Sequence, residues 1–181
     1  MPAADKEDVR SELLQSRRAL TDTQIASARV AVRQHVLTLV KTEAWRSVAA
    51  YVPLRTEPGS VELLDELQHA GVRVLVPITL DDHDLDWDEW GSNSAPLGLS
   101  ALAQVDAIFV PALAVAADGT RLGRGGGSYD RALTRARQGT PVIALLYADE
   151  VRAELPVEPW DQPVTGYVTP AGWHPIGLWN S

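Results

Sequence analysis

Apolar positions recur in the first part of the chain at helical spacing, then gather into short unbroken runs that suit buried strands. Residues 5–20 carry Val9, Leu13 and Leu20 close to one stripe, which predicts a helix. Thr21 and Gln24 have the spacing of a capping box. A second helix therefore starts there and runs to about Lys41, with Ile25, Ala28, Val32, Val36 and Leu39 facing a core. Residues 47–52 form an apolar run closed by Pro53, and 55–59 are the loop that follows. Residues 61–70 read as a helix stopped by Gly71, and 72–78 as a second buried strand. Further on, 107–115 are apolar, 129–137 helix-like, 142–147 a buried strand, 150–155 a short helix and 164–168 a last strand. Residues 173–181 read as a tail packed by Trp and Ile. Strands alternating with helices predict an α/β fold with a mainly parallel sheet flanked by helices, whose ligands collect beyond the strand C-terminal ends.

The stretch 81–100 breaks this pattern. Asp81, Asp82, Asp84, Asp86, Asp88 and Glu89 make an acidic run interrupted by Trp87 and Trp90, which suits a solvated hairpin or loop better than a metal cage. A length of 181 residues accommodates one well-buried domain, 1–181, without repeat or linker. The chain holds no apolar run long enough to span a bilayer and no signal-like start. It has no cysteine, which excludes disulfides, thiol catalysis and cysteine metal sites. These features predict a cytoplasmic protein, with a monomer as the default. A net charge of −8 argues against a nucleic-acid partner held by a broad basic field.

Against that acidic whole, Lys6, Arg10, Arg17, Arg18, Arg29 and Arg33 crowd the N-terminal part. Lys6, Arg10 and Arg17 fall within about 40° of one another on the first helix, bordering its apolar stripe. Such a row is either a solvated face or a set of charges reaching round into a cleft.

The densest chemistry lies in Asp118-Gly119-Thr120-Arg121-Leu122-Gly123-Arg124-Gly125-Gly126-Gly127-Ser128-Tyr129-Asp130-Arg131, which holds five of the 13 glycines. Each ordered glycine loses more backbone entropy than any other residue, a cost tolerated where a ligand must lie against bare backbone. Exposed N–H groups suit a phosphate, arginines fork onto its oxygens, and Asp130 is the hard carboxylate that a magnesium ion on phosphates prefers. Gly126 is expected at positive φ, where a branched side chain would be disfavoured. No Gly-Lys-Ser/Thr follows, so this is not a Walker loop, and Ser128 occupies the third glycine position of a dinucleotide fingerprint. Strand, glycine loop and helix in that order make a ligand-binding arrangement.

Phe109-Val110-Pro111-Ala112-Leu113-Ala114-Val115 followed by 118–131 resembles the signature of the 5-formyltetrahydrofolate cyclo-ligase family, the methenyltetrahydrofolate synthetases. That signature is a Val-Pro strand end, an Asp/His-Gly turn, then Arg-Leu-Gly-x-Gly-x-Gly-Tyr-Tyr-Asp. Leu155-Pro156-Val157-Glu158-Pro159-Trp160-Asp161 similarly resembles the family's Leu-Pro-x-Glu-x-His-Asp, and the likeness extends over nearly the whole chain. It implies a sugar-phosphate isomerase-like, Rossmann-related fold and ATP-dependent cyclisation of 5-formyltetrahydrofolate to 5,10-methenyltetrahydrofolate, with ATP and Mg2+ as cofactors. It places ATP on Lys6 and Arg10, which match an early Lys-x-x-x-Arg, and on Arg121, Gly123, Arg124, Gly125, Gly126, Gly127, Ser128 and Tyr129. The folate falls to Val52, Glu57, Gly126, Ser128 and Tyr129, with Glu57 holding the pteridine ring. Magnesium falls to Asp130 and Asp161, and the catalytic positions are Arg124, Tyr129 and Asp130.

Three positions leave the family pattern: Ser128 replaces the first tyrosine, Trp160 a histidine and Thr165 an aspartate. Residues 91–96, Gly-Ser-Asn-Ser-Ala-Pro, stand where relatives carry a segment covering the folate, so Trp87 and Trp90 are candidates for that cover. Two other readings stay open from the residues: a folate- or nucleotide-binding relative without turnover, and an unrelated ATP-dependent small-molecule kinase or ligase. Folate-dependent ATP hydrolysis separates the three.

Overall fold

In the computed structural model, which describes residues 5–177, the first helix α1 spans Lys6–Arg18 and buries Leu13 and Arg17. Residues 178–181 of the expected tail lie outside the described residues. The second helix, α2 (Asp22–Thr42), starts at the expected capping box: Thr21 accepts from the Gln24 N–H while the Gln24 side chain accepts from the Thr21 N–H. The predicted apolar positions of α2 are buried, as is Val40. Helix α3 (Val61–His69) is capped by Ser60 and buries Leu63, Leu64 and Leu67.

The strands are β1 (Ser47–Ala49), β2 (Arg73–Thr79), β3 (Leu85–Glu89), β4 (Ala107–Pro111), β5 (Ala114–Ala116), β6 (Arg121–Leu122), β7 (Val142–Leu145), β8 (Val151–Arg152), β9 (Gly166–Thr169) and β10 (Gly172–Pro175). A seven-stranded sheet has the order β10-β9-β7-β4-β1-β2-β3. Its interior pairs are parallel, and antiparallel strands β10 and β3 close the two edges. The fold is α/β with a mainly parallel sheet, as the alternation of elements predicts. One apolar cluster fills the face under α2 and α3, around Val36, Leu64 and Phe109. A second, on the other face, gathers Leu75, Trp87, Leu102 and Ile108.

Three expectations need correction. The apolar run 107–115 is two strands in two sheets: β4 ends at Pro111, which has no N–H for the ladder, and β5 joins a small sheet of order β6-β5-β8. Both strands are buried, so hydrophobicity alone runs straight through the break. Residues 150–155 are not a helix: a 3-10 turn at Ala148–Glu150 leads directly into β8, because Glu150 turns inward to an arginine and Pro156 closes the segment. The helix after the glycine loop, α4, covers only Ser128–Leu133. In the acidic stretch, β2 and β3 form an antiparallel hairpin, with Leu85 and Trp87 inward and Asp86 and Asp88 at the half-buried alternate positions. Asp84 at its start takes two bonds from Arg135, 2.7 and 2.6 Å, and that guanidinium holds its carboxyl down at about 2. No group of three or more His, Asp or Glu side chains placed to hold a metal ion occurs among the described residues.

Candidate functional site

A cavity of about 360 Å³ opens beyond the C-terminal ends of β1, β2 and β4, where a parallel sheet presents its ligands. Tyr51, Val52, Leu54 and Glu57 line it from the loop after β1, and Pro77 and Thr79 from the end of β2. Residues 121–130 form one wall, α1 contributes Lys6, Arg10 and Arg17, and Glu158, Trp160 and Asp161 close it from a late segment. Every expected site residue therefore lines one cavity, although the set spans most of the chain.

The glycine loop is pinned at both ends. Arg121 donates from Nη1 to the Pro111 carbonyl at 3.0 Å and from Nη2 to Asp130 Oδ1 at 3.2 Å, and its guanidinium lies 5.9 Å from the Tyr129 ring centroid. Asp130 Oδ1 also accepts the Gln162 N–H at 3.0 Å, which ties the start of α4 to the late segment. Arg10 reaches over the loop and donates from Nε to the Gly123 carbonyl at 3.0 Å. A Cβ on Gly125 would meet that guanidinium at 3.4 Å. Positive φ falls on Gly125 (106°) and Gly127 (71°), not on Gly126, whose added Cβ would meet only Ser128 Oγ at 3.8 Å. The expected conformation at Gly126 is thus displaced by one residue on either side. A side chain at Gly126 would be costly only against a bound ligand.

Lys6 bridges the N-terminal helix and the late segment. Its Nζ lies 2.7 Å from Glu158 Oε2 and 2.5 Å from Asp161 Oδ2, and Asp161 Oδ2 also accepts the Glu158 N–H at 2.9 Å. Burial alone lowers the Lys6 ammonium, but its bonds to Asp161 and Glu158 outweigh it and raise the group above the ordinary lysine value. Described residues engage Oδ1 of Asp130 and Oδ2 of Asp161 and leave the second oxygen of each unengaged. Two free carboxylate oxygens beside the glycine loop fit magnesium, which takes one or two carboxylates and completes its shell with phosphates and water.

The opposite wall carries Glu57, buried to 4% exposure, whose Oε2 accepts the Leu54 N–H at 2.7 Å. Arg124, 42% exposed in its side chain, lies 3.7 Å from Glu57 Oε1 and so sits between the two halves of the site. Arg29 on α2 shapes the loop under Glu57 through the carbonyls of Glu57, Leu54 and Arg55. Arg17 differs from its neighbours in the basic row. It is 2% exposed, pairs with Glu150 at 2.7 and 3.0 Å, and donates to the Ala112 carbonyl, so it supports the cavity floor instead of facing a ligand.

Neither tryptophan of the acidic stretch covers the cavity: Trp87 is fully buried, and Trp90 packs on the other side of the sheet with its N–H on Asp65. The aromatic at the cavity mouth is Trp160, 63% exposed. Thr165 lies just before β9 and holds the start of β7, accepting the Val142 N–H and donating to the Val142 carbonyl, and it does not line the cavity. Sequence reasoning missed Glu150, Arg29 and Tyr51. Arg29 left a faint signal, as a basic residue beside the apolar stripe of α2.

Residues 2–170 match the model of the 5-formyltetrahydrofolate cyclo-ligase family. A 5-formyltetrahydrofolate cyclo-ligase of Mycolicibacterium smegmatis is 37% identical over 94% of this chain and 96% of its own length. One of Haemophilus influenzae is 26% identical over 91% and 97%. Among solved structures, a 5,10-methenyltetrahydrofolate synthetase of Mycoplasma pneumoniae superimposes with a TM-score of 0.81 at 22% identity, covering 92% of this chain and 99% of that one. That of Aquifex aeolicus gives 0.80 at 22% identity, covering 97% and 95%. At such identity the two structures speak for the fold.

Proposed function

The chain belongs to the 5-formyltetrahydrofolate cyclo-ligase family, and from that premise we propose that residues 1–181 act as one domain and a monomer, cyclising 5-formyltetrahydrofolate to 5,10-methenyltetrahydrofolate at the expense of ATP. The observation that carries this reading is the single cavity joining the glycine loop, the Lys6–Arg10 row and Glu57. No helix among the described residues is long and apolar enough to cross a membrane. The use of ATP supports a cytoplasmic place for the reaction.

The formyl oxygen is a poor leaving group. Transfer of the γ-phosphoryl group from ATP to that oxygen forms a P–O bond there, breaks the bond to the ADP oxygen, and makes the formyl oxygen part of a phosphate ester that can leave. N10 then attacks the formyl carbon, the C–O bond breaks, inorganic phosphate leaves with the former formyl oxygen, and N10 loses its proton. Little covalent chemistry falls to the protein. Its task is in-line placement and charge neutralisation, so no side-chain nucleophile is needed.

Each residue has a part in that placement. Arg121 and Arg124, with the backbone from Gly123 to Tyr129, cradle the phosphates, and Lys6 and Arg10 neutralise them from α1. Glu57 and Val52 hold the pteridine end, with Gly126, Ser128 and Tyr129 at the junction where the two substrates meet. Asp130 and Asp161 hold magnesium, which when bound offsets phosphate charge. Arg124, Tyr129 and Asp130 stand nearest the transfer. The test mixes protein, ATP, magnesium and 5-formyltetrahydrofolate and follows the absorbance of the methenyl product. Turnover is expected, with Asp130→Asn keeping the fold by circular dichroism and losing at least tenfold in rate at limiting magnesium. A parent without product or folate-dependent ATP hydrolysis overturns the reading. Normal turnover by the variant removes Asp130 from the metal site.

A further inference from the structure

Tyr51 lies just past β1, at the edge of the sheet where the cavity opens, and is 6% exposed. Its hydroxyl is buried and has no hydrogen-bond partner among the described residues. Buried polar groups are satisfied in the great majority of cases, and each exception requires a reason. Packing is not the reason, because a phenylalanine would fill the same space without the desolvation cost of the hydroxyl. The phenol rests against the backbone of Gly59, where an added Cβ would stand 3.2 Å from the oxygen, so it belongs to the same loop as Glu57. Across the cavity, in the wall formed by residues 121–130, the Tyr129 hydroxyl and the Arg121 Nε are also buried without partners among the described residues.

Unused donors beside one buried carboxylate fit a ligand edge that carries both N–H groups and an acceptor oxygen. A 2-amino-4-oxo pteridine has such an edge. We propose that Tyr51 is a further substrate-binding residue whose hydroxyl donates to the ring carbonyl oxygen of the reduced pteridine, while Glu57 accepts from the adjacent ring N–H groups. This rests on the functional reading above. Burial, and after it the Glu57 carboxylate, push the Tyr51 phenol well up, so it stays a donor throughout the working pH range. Since the oxygen is closed to water in the free protein, the entering ring displaces what lies over it.

Tyr51→Phe separates this role from a structural one, because the two predict opposite signs. With no bond to lose in the free protein, the variant is expected to melt no lower than the parent. Its Kd for 5-formyltetrahydrofolate, measured by calorimetry without ATP, is expected to rise about five- to tenfold, with KM for ATP unchanged and kcat within a small factor. A 4-amino pteridine analogue, which replaces the acceptor oxygen by a donor, supplies a second arm: the parent prefers the 4-oxo ring, and Tyr51→Phe narrows that preference. Equal folate affinity in parent and variant overturns the proposal, as does a fall in melting temperature with the ring preference unchanged. A parent that binds no folate at all overturns the functional reading itself, a separate outcome.

Discussion

Single residues in the glycine loop divide into those needed by the free backbone and those needed by the ligand. Gly125 has φ of 106° and Arg10 close by, so Gly125→Ala should destabilise the free protein by about 1–2 kcal/mol, measured by urea unfolding. Gly126 has neither constraint. Gly126→Ala should therefore leave the unfolding curve unchanged and still weaken ATP binding by calorimetry. Unchanged affinity would mean that phosphate does not lie against Gly126. Ser128 opens α4 at the cavity wall, where the family carries tyrosine. An aromatic contact of that kind contributes about 0.5–1.5 kcal/mol beyond burial. Ser128→Tyr is thus expected to lower KM for 5-formyltetrahydrofolate severalfold and keep kcat within a small factor. A parent silent at saturating substrates that gains turnover only on restoring tyrosine would instead make Ser128 the mark of lost catalysis.

Between elements, the N-terminal helix is joined to the rest by two ion pairs of different kinds. Arg17 and Glu150 are both nearly inaccessible, so removing either partner leaves an uncompensated buried charge. Lys6, with Glu158 and Asp161, lies at the cavity edge, and its raised pKa makes the link pH-dependent. For a lysine raised on folding, the stabilisation is complete below the unfolded value of about 10.4 and is lost as pH climbs through the higher folded value. The stability difference between the parent and Lys6→Met should be constant from neutral pH to about pH 10 and shrink above it, followed by urea unfolding across that range. A difference absent at neutral pH would show that the link contributes nothing to folding, and one that does not shrink would show that its contribution does not come from the lysine charge.

At the scale of the whole molecule, the central strands are buried on both faces, and the edges carry short antiparallel strands. β3, at one edge, carries Asp86, Asp88 and Glu89. Of the large apolar side chains exposed among the described residues, Val52, Leu54 and Trp160 line the cavity, where the substrates would cover them, and Val30, Val61, Leu80 and Val157 lie outside it as single exposed residues of the ordinary kind. Sedimentation equilibrium should accordingly give a monomer of 19.6 kDa. A stable dimer would place that apolar rim, or another face, in a subunit interface.

Much of this was legible in the chain itself. Helix periodicity, the Thr21–Gln24 cap, the alternation of strands with helices and the contiguous motif 118–131 are written in neighbouring residues, so the α/β class, the glycine loop and the family follow from local order. Hydrophobicity could not show that 107–115 serves two sheets, since both strands are equally buried, nor that Glu150 turns inward out of an apparent helix. Partner choice was also out of reach. Lys6 and Asp161 stand 155 positions apart and Arg17 and Glu150 133, and only the packing of α1 against the late segments brings them together. The sequence determined which chemical groups were present and how each segment folds. The tertiary structure decided which charges were already neutralised and which hydroxyls were left without a partner, because burial and pairing are properties of the space between elements.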